Sequence, residues 1–172
     1  EGVGEIGLNW LQKVKKELGL KVATEVANAK HVECCLKAEI DVLWIGARTT
    51  VNSFYVQEIA DALIGVNIPV FVKNPIHPEL GLWIGALERL FKAGITQLAT
   101  IHRGFYLNEV SAFRNDPKWE MPIKLREALP HIPIICDPSH IAGDCEMIQN
   151  ISQTAMDLNM DGLMIETHQN PE

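Results

Sequence analysis

Six short β-rich runs recur along the chain: "KVATEV" (21–26), "VLWIGA" (42–47), "VFVKN" (70–74), "QLATIH" (97–102), "IPIICD" (132–137) and "GLMIET" (162–167). Each is mostly apolar on both faces, the pattern of strands in a parallel sheet covered by helices. Helical stretches stand between them. Strict alternation of strand and helix requires parallel pairing through right-handed crossovers, so the fold class is α/β.

The helical stretches carry their own start and stop signals. "IGLNWLQKVKKELG" (6–19) sets Ile6, Trp10, Leu11, Val14 and Leu18 near helical spacing. "NSFYVQEIADALIG" (52–65) opens with a capping residue, Asn52, and closes at Gly65. "PELGLWIGALERLFKAG" (78–94) has a proline in its first turn and ends at glycine, and "CEMIQNISQTAMDLN" (145–159) leads into the last strand. The stretch 105–129 is broken by "NDPKWEMP" (115–122) and reads as two short helices.

Composition narrows the class. The 172 residues suffice for one domain with a sizeable core, and no linker or low-complexity segment divides them, so 1–172 is read as a single domain. A hydrophobic fraction of 47% with 22% charged residues is that of an ordinary globular protein. A net charge of −7 argues against nucleic acid as the main partner. No apolar run approaches a membrane span, and "EGVGEIGLNW" has neither the basic start nor the apolar core of a signal peptide. Its glycines do not have dinucleotide-fingerprint spacing either. Cys34, Cys35, Cys136 and Cys145 form no CxxC pair and are expected to be reduced in a cytoplasmic protein.

Near the C-terminal end of each run stands a charged or polar group: Glu25, Arg48, Lys73 with Asn74, His102 with Arg103, Asp137 with His140, and Glu166 with His168. In a (β/α)₈ TIM barrel these ends converge on the active-site face. A closed barrel needs eight strands and six are visible, which leaves an open sheet or part of a barrel. We favour the partial barrel, with six of eight βα units.

Arg48, Lys73 and Arg103 end three consecutive strands. Unpaired cations gathered within ~6 Å would repel by roughly 3 kcal/mol per pair at an effective dielectric near 20. Such a cluster makes sense around a polyanion carrying phosphate and carboxylate; the alternative is three cations each paired with a nearby acid such as Glu25. His140 and Glu166 end neighbouring strands and suit a divalent ion such as Mn²⁺, Fe²⁺ or Zn²⁺, although a simple His–Glu hydrogen bond fits their spacing equally well. Asp137 is poised to orient a neighbour. His102 and His168 are candidates for general acids or ligands but read more readily as satisfied strand-end residues, and His31, His77 and His131 read as surface or loop residues.

Read in order, "IGARTT" (45–50), "VFVKN" (70–74), "HRG" (102–104), "DPSH" (137–140) and "MIETHQNPE" (164–172) resemble the class I 3-deoxy-D-arabino-heptulosonate 7-phosphate (DAHP) synthases. The resemblance runs from "EGVGEIGL" to "HQNPE". It implies condensation of phosphoenolpyruvate with erythrose 4-phosphate, with release of phosphate, as the first step of the shikimate pathway. It further implies that Ala47, Arg48, Lys73 and Arg103 meet phosphoenolpyruvate, that His140 and Glu166 are two of four metal ligands, and that Lys73, Arg103 and Asp137 take part in catalysis. Lys73 is also placed to relay a proton.

The family's first-strand metal-binding cysteine and its "KPRT"-type motif have no counterpart in these residues. Its last metal ligand, an aspartate, would fall after Glu172. The resemblance thus covers strands three to eight and half of a metal site. Cys136 is no substitute ligand, since it points from the opposite side of its strand to Asp137. Pro75 stands where the family usually has glycine, which implies a reshaped loop. The related 3-deoxy-manno-octulosonate 8-phosphate synthases are the alternative within the class; they usually lack the "GAR" arginine and carry threonine at the position of Ser139. An inactive barrel fragment with an associative or regulatory role is the alternative outside it. A homo-oligomer, and a chorismate mutase or regulatory domain fused outside these residues, are further expectations of the resemblance.

Overall fold

A computed structural model of the chain describes residues 3–108 and 111–170. The ends of the "EGVGEIGL" and "HQNPE" motifs at 1–2 and 171–172, and residues 109–110 of the stretch expected to hold two helices, lie outside the described residues.

The elements are α1 (Glu5–Leu18), β1 (Ala23–Val26), α2 (Ala29–Lys37), β2 (Val42–Ile45), α3 (Ala47–Thr50), α4 (Ser53–Ala62), β3 (Val70–Lys73), α5 (Leu80–Lys92), β4 (Leu98–His102), α6 (Glu120–Ala128), β5 (Ile134–Cys136), α7 (Pro138–Ala142), α8 (Ile148–Asp157) and β6 (Gly162–Leu163). A 3₁₀ turn at Cys145–Met147 leads into α8. All six strands are parallel, and their order in the sheet is their order in the chain. That order never reverses, so there is no doubly wound switch point. Right-handed crossovers then put the helices that connect the strands on one face of the sheet, the arrangement of a (β/α)₈ barrel, here as a six-stranded arc.

The register explains the core. Val26, Ile45, Val72, Thr100 and Ile134 lie side by side across five strands, and all are buried. This row faces the helix layer, where Val56, Ile59, Trp83, Leu87 and Leu90 meet it. Side chains alternate along a strand, so Lys73, Ile101 and Ile135, also in register, face the inside of the arc. Of the residues expected at the site, Lys73 lies on that inner row, and Arg103 and Asp137 follow it by alternation just beyond the ends of β4 and β5.

Several local expectations are corrected. A helix not legible beforehand, α2, follows β1; the Asn28 side chain accepts from His31 N at 2.9 Å and caps it. Helix α5 begins at Leu80, so Pro78 precedes its first turn. Among the described residues of 105–129 only α6 is helical; an antiparallel bridge between Phe105 and Asp116 ties down the loop before it. The run 162–167 is strand only at Gly162–Leu163, at one edge of the sheet. In α4 the Asn52 carboxamide does cap Phe54 N and Tyr55 N, as the sequence suggests. In α1, Leu8 and Leu11 pack on the core while Ile6, Trp10 and Leu18 stay exposed.

All four cysteines are free. No helix among the described residues is long and apolar enough to cross a membrane.

Candidate functional site

A cavity of about 490 Å³ opens at the C-terminal ends of the strands. Ala47, Arg48, Lys73, Arg103 and His140 line it, all five anticipated from the sequence. Glu25, Arg114 and Asn115 line it as well, with Ile76 and Tyr106. A second concavity, of about 430 Å³ on the helix layer between α4 and α5 and bordered by Asp61, Glu88 and Arg89, has no strand-end residue in it.

The cations are graded in depth. Lys73 is buried, Arg103 half-buried, and Arg48 and Arg114 stand at the rim. The Lys73 ammonium lies 3.1 Å from Asp137 Oδ2 and 6.0 Å from the centroid of the Trp44 ring. The alternative in which every cation is neutralised by a nearby acid holds for Lys73 only. Among the described residues, no carboxylate comes within ion-pairing distance of Arg48, Arg103 or Arg114. Burial lowers the pKa of the Arg103 guanidinium; Arg114 and Arg48 add to that, and the Asp137 charge opposes it. A site with three arginines that have no acid partner among the described residues, two at its rim and one deeper, suits an anion.

Backbone geometry holds these cations in place. Thr50 is buried, with its hydroxyl 2.9 Å from Lys73 O and 3.0 Å from Gly46 O, which fixes α3 and Arg48 against the end of β3. The Glu25 carboxylate accepts from Trp44 Nε1 at 3.1 Å. It lies close over Gly46, where an added Cβ would oblige the flexible end of the Glu25 side chain to move. Asn74, fully buried, accepts from Arg103 N at 2.7 Å and donates to Gly104 O at 2.8 Å.

Asp137 caps α7, accepting from His140 N at 3.1 Å. Burial works to raise its pKa, but His140 and Lys73 outweigh burial and hold the carboxyl below the usual range. His140 Nδ1 stands 2.9 Å from Asp137 Oδ2 and 3.7 Å from Glu166 Oε1, yet it is aligned with neither as a hydrogen bond. A buried imidazole nitrogen without a hydrogen-bond partner, facing two carboxylates, suits a divalent cation. Glu166 itself is largely exposed on the segment after β6, where its N–H donates to Ser139 Oγ at 3.0 Å. No cluster of three or more His, Cys, Asp or Glu side chains able to hold a metal occurs among the described residues. The donors present therefore fit part of a metal site.

His102 does not belong to this site. Its neighbours in register are Cys136 and, across β5, Leu163, so it faces the helix layer. There it is fully buried among Trp83, Phe105 and Trp119, with ring centroids 5.4–6.4 Å away. Among the described residues neither ring nitrogen makes a well-aligned hydrogen bond, although the Pro117 backbone acts on the ring, so this histidine is less satisfied than a strand-end residue was expected to be. Burial pushes its pKa down to about 3, and it is neutral at ordinary pH. Cys136 shares that side, with a thiol pushed up to about 12 by burial, and is neither ligand nor nucleophile. His168 bonds locally to Asn170; His31, His77 and His131 are exposed.

Five lining residues, Glu25, Ile76, Tyr106, Arg114 and Asn115, were not assigned to the site from the sequence. Glu25 was read only as a neutralising partner. Its strand-end position was the available signal. Arg114 and Asn115 come from an irregular loop with no periodicity to mark them.

Comparison with known proteins fits this geometry. The model of the DAHP synthetase I family matches residues 1–172. A phospho-2-dehydro-3-deoxyheptonate aldolase of Thermotoga maritima is 26% identical over all of this chain, which spans 49% of that protein. A truncated form of 3-deoxy-D-arabino-heptulosonate 7-phosphate synthase from the same organism superposes with a TM-score of 0.86 at 25% identity, over 100% of this chain and 63% of that one. A longer form of the Thermotoga enzyme gives 0.85 at 25% identity, covering 98% and 48%. The chain thus spans about half the length of the curated relative it matches.

Proposed function

This chain belongs to the DAHP synthetase I family, and from that premise we propose that it supplies the last six βα units of a DAHP synthase. The reaction joins phosphoenolpyruvate to erythrose 4-phosphate and releases inorganic phosphate. One observation carries the reading: Arg48, Arg103 and Arg114, none with a carboxylate partner among the described residues, converge with Lys73 on one cavity at the strand ends. A ligand bearing both carboxylate and phosphate matches that excess of positive charge.

In this reading the arginines bind the phosphoenolpyruvate anion and hold its enol carbon toward the sugar aldehyde, which replaces a bimolecular encounter by a fixed approach. As the C–C bond forms, electron density moves to the aldehyde oxygen, which takes up a proton. Water then adds at the former enol C2, and cleavage of the C2–O bond releases phosphate. The cations offset the charge carried by the departing group. Lys73, held against Asp137, is the group placed to hand over or receive a proton.

His140 and Glu166 would hold the divalent ion, whose contribution when bound is Lewis-acid polarisation of the aldehyde. Asp137 fixes the turn that presents His140 by capping α7. The metal is proposed as Mn²⁺, Fe²⁺ or Zn²⁺, and the setting as the cytoplasm.

The test is phosphate release from phosphoenolpyruvate with Mn²⁺ in the protein that carries this chain. Erythrose 4-phosphate and arabinose 5-phosphate are offered in parallel. Turnover with erythrose 4-phosphate alone, abolished by chelator, is the expected outcome. Turnover with the pentose alone would assign the octulosonate activity instead, and silence with both would overturn the enzymatic reading.

A further inference from the structure

Asn115 belongs to none of the strand-end motifs, yet it bridges the two halves of the site. It is 5% exposed. Its Oδ1 accepts from Arg103 Nη1 at 3.0 Å, and its Nδ2 donates to His140 O at 2.6 Å. The orientation of the amide is chemically fixed. A guanidinium can only donate and a carbonyl can only accept, so one of the two flips satisfies both neighbours and the other satisfies neither.

The surrounding chain is built to keep Asn115 there. Its own N–H donates to Ile141 O at 3.2 Å, and the next residue, Asp116, exchanges two 2.8 Å backbone bonds with Phe105. Gly104 lies beneath it at φ +75°. A Cβ there would stand 2.6 Å from Asn115 O and 2.9 Å from Asn115 Cβ, so the "HRG" glycine makes the approach possible. The backbone of Arg103 is meanwhile pinned by Asn74. One buried asparagine thus sets where the Arg103 main chain lies, and the other sets where its guanidinium points.

We infer that Asn115 is a positioning residue that fixes the Arg103 guanidinium and the His140 turn relative to each other. The inference rests on Arg103 as an anion-binding cation and His140 as a metal ligand. A side chain that sets both geometries must influence both affinities when it is cut back. Alanine is the informative replacement because it keeps the Cβ packed over Gly104 and removes only the amide. Leucine keeps the buried volume as well.

The experiment is calorimetric titration of the protein that carries this chain, with phosphoenolpyruvate and, separately, with MnCl₂. Asn115→Ala, Asn115→Leu, Arg103→Ala, His140→Ala and the Asn115→Ala/Arg103→Ala pair are compared with the parent. Asn115→Ala is expected to weaken both phosphoenolpyruvate and Mn²⁺ binding by roughly tenfold, the scale of a lost charged hydrogen bond. In the Arg103→Ala background, Asn115→Ala is expected to cost no further phosphoenolpyruvate affinity while still weakening Mn²⁺. Additive loss of phosphoenolpyruvate affinity in the pair would mean direct contact with the ligand and overturn the positioning role. So would a fall in thermal stability with both affinities unchanged; Asn115→Leu answers the same question if the alanine variant does not fold. If Arg103→Ala and His140→Ala lose their ligands and the Asn115 variants lose neither, the inference alone fails. If Arg103→Ala and His140→Ala themselves bind normally, the reading beneath it fails too.

Discussion

Lys73 and Asp137 form a buried ion pair, 3.1 Å from Nζ to Oδ2, although β4 lies between the strands that deliver them. The pair spans the inside of the arc at the floor of the cavity. Leaving one buried charge without its partner costs about 3–5 kcal/mol. Asp137→Ala should therefore destabilise the protein by about 3 kcal/mol, and Asp137→Asn, which keeps an acceptor for His140 N, by less. Urea unfolding of the two variants checks this; equal, small effects would show the pair to be energetically idle.

Arg103 is the inner of the three arginines without an acid partner. Arg103→Ala should raise the KM for phosphoenolpyruvate by roughly a hundredfold, and Arg103→Lys should recover only part of the loss, since an ammonium lacks the planar fork. Steady-state kinetics at saturating aldehyde sugar gives the answer. Full recovery by lysine would show that charge alone is used.

In the proposed reading His140 offers its ring to a cation, while its carbonyl is held by Asn115. His140→Ala is expected to abolish chelator-sensitive turnover and to weaken Mn²⁺ binding by at least roughly tenfold, the scale of losing one supporting interaction at a metal site. Manganese titration followed by electron paramagnetic resonance reads this without relying on activity. Undiminished Mn²⁺ binding would remove His140 from the ligand set.

His102 makes stability depend on pH. Its folded pKa of about 3 lies below the ordinary value of 6.5, so between those limits the unfolded chain takes up a proton that the folded one refuses. Stability should fall as pH drops through that window, by up to about 1.4 kcal/mol per pH unit from this one group. The charged groups acting on it are Asp137, which favours its protonation, and Arg103, which opposes it. His102→Phe keeps an aromatic ring among Trp83, Phe105 and Trp119 and should flatten the slope. Chemical denaturation at pH 4.5 and pH 7 compares the two, and an unchanged slope would place the titration elsewhere.

Much of this architecture was legible in the residues themselves. Runs such as "VFVKN" and "IPIICD" are apolar on both faces, and a strand of that kind is stable only between two layers, so parallel pairing and the helix cover follow from local chemistry. Their ends marked Arg48, Lys73, Arg103 and His140, because a strand that stops being apolar has reached the rim of the sheet. Alternation along a strand, read more closely, also separates Arg103 from His102 and Asp137 from Cys136. One member of each pair faces the cavity and the other the helices. Helix α2 was missed because its short stretch, "AKHVECCLK", sets just Val32, Cys35 and the partly buried Leu36 against the core.

What the tertiary structure alone decided is who meets whom. That Lys73 pairs with Asp137 and not with Glu25, that Glu25 lies over Gly46, and that Asn115 joins Arg103 to His140 depend on register and on the path of an irregular loop. The physical reason is range. Periodicity and capping act over a turn of helix or a pair of strand residues. Contacts between positions 12 to 64 apart exist only once the sheet has brought the strand ends together.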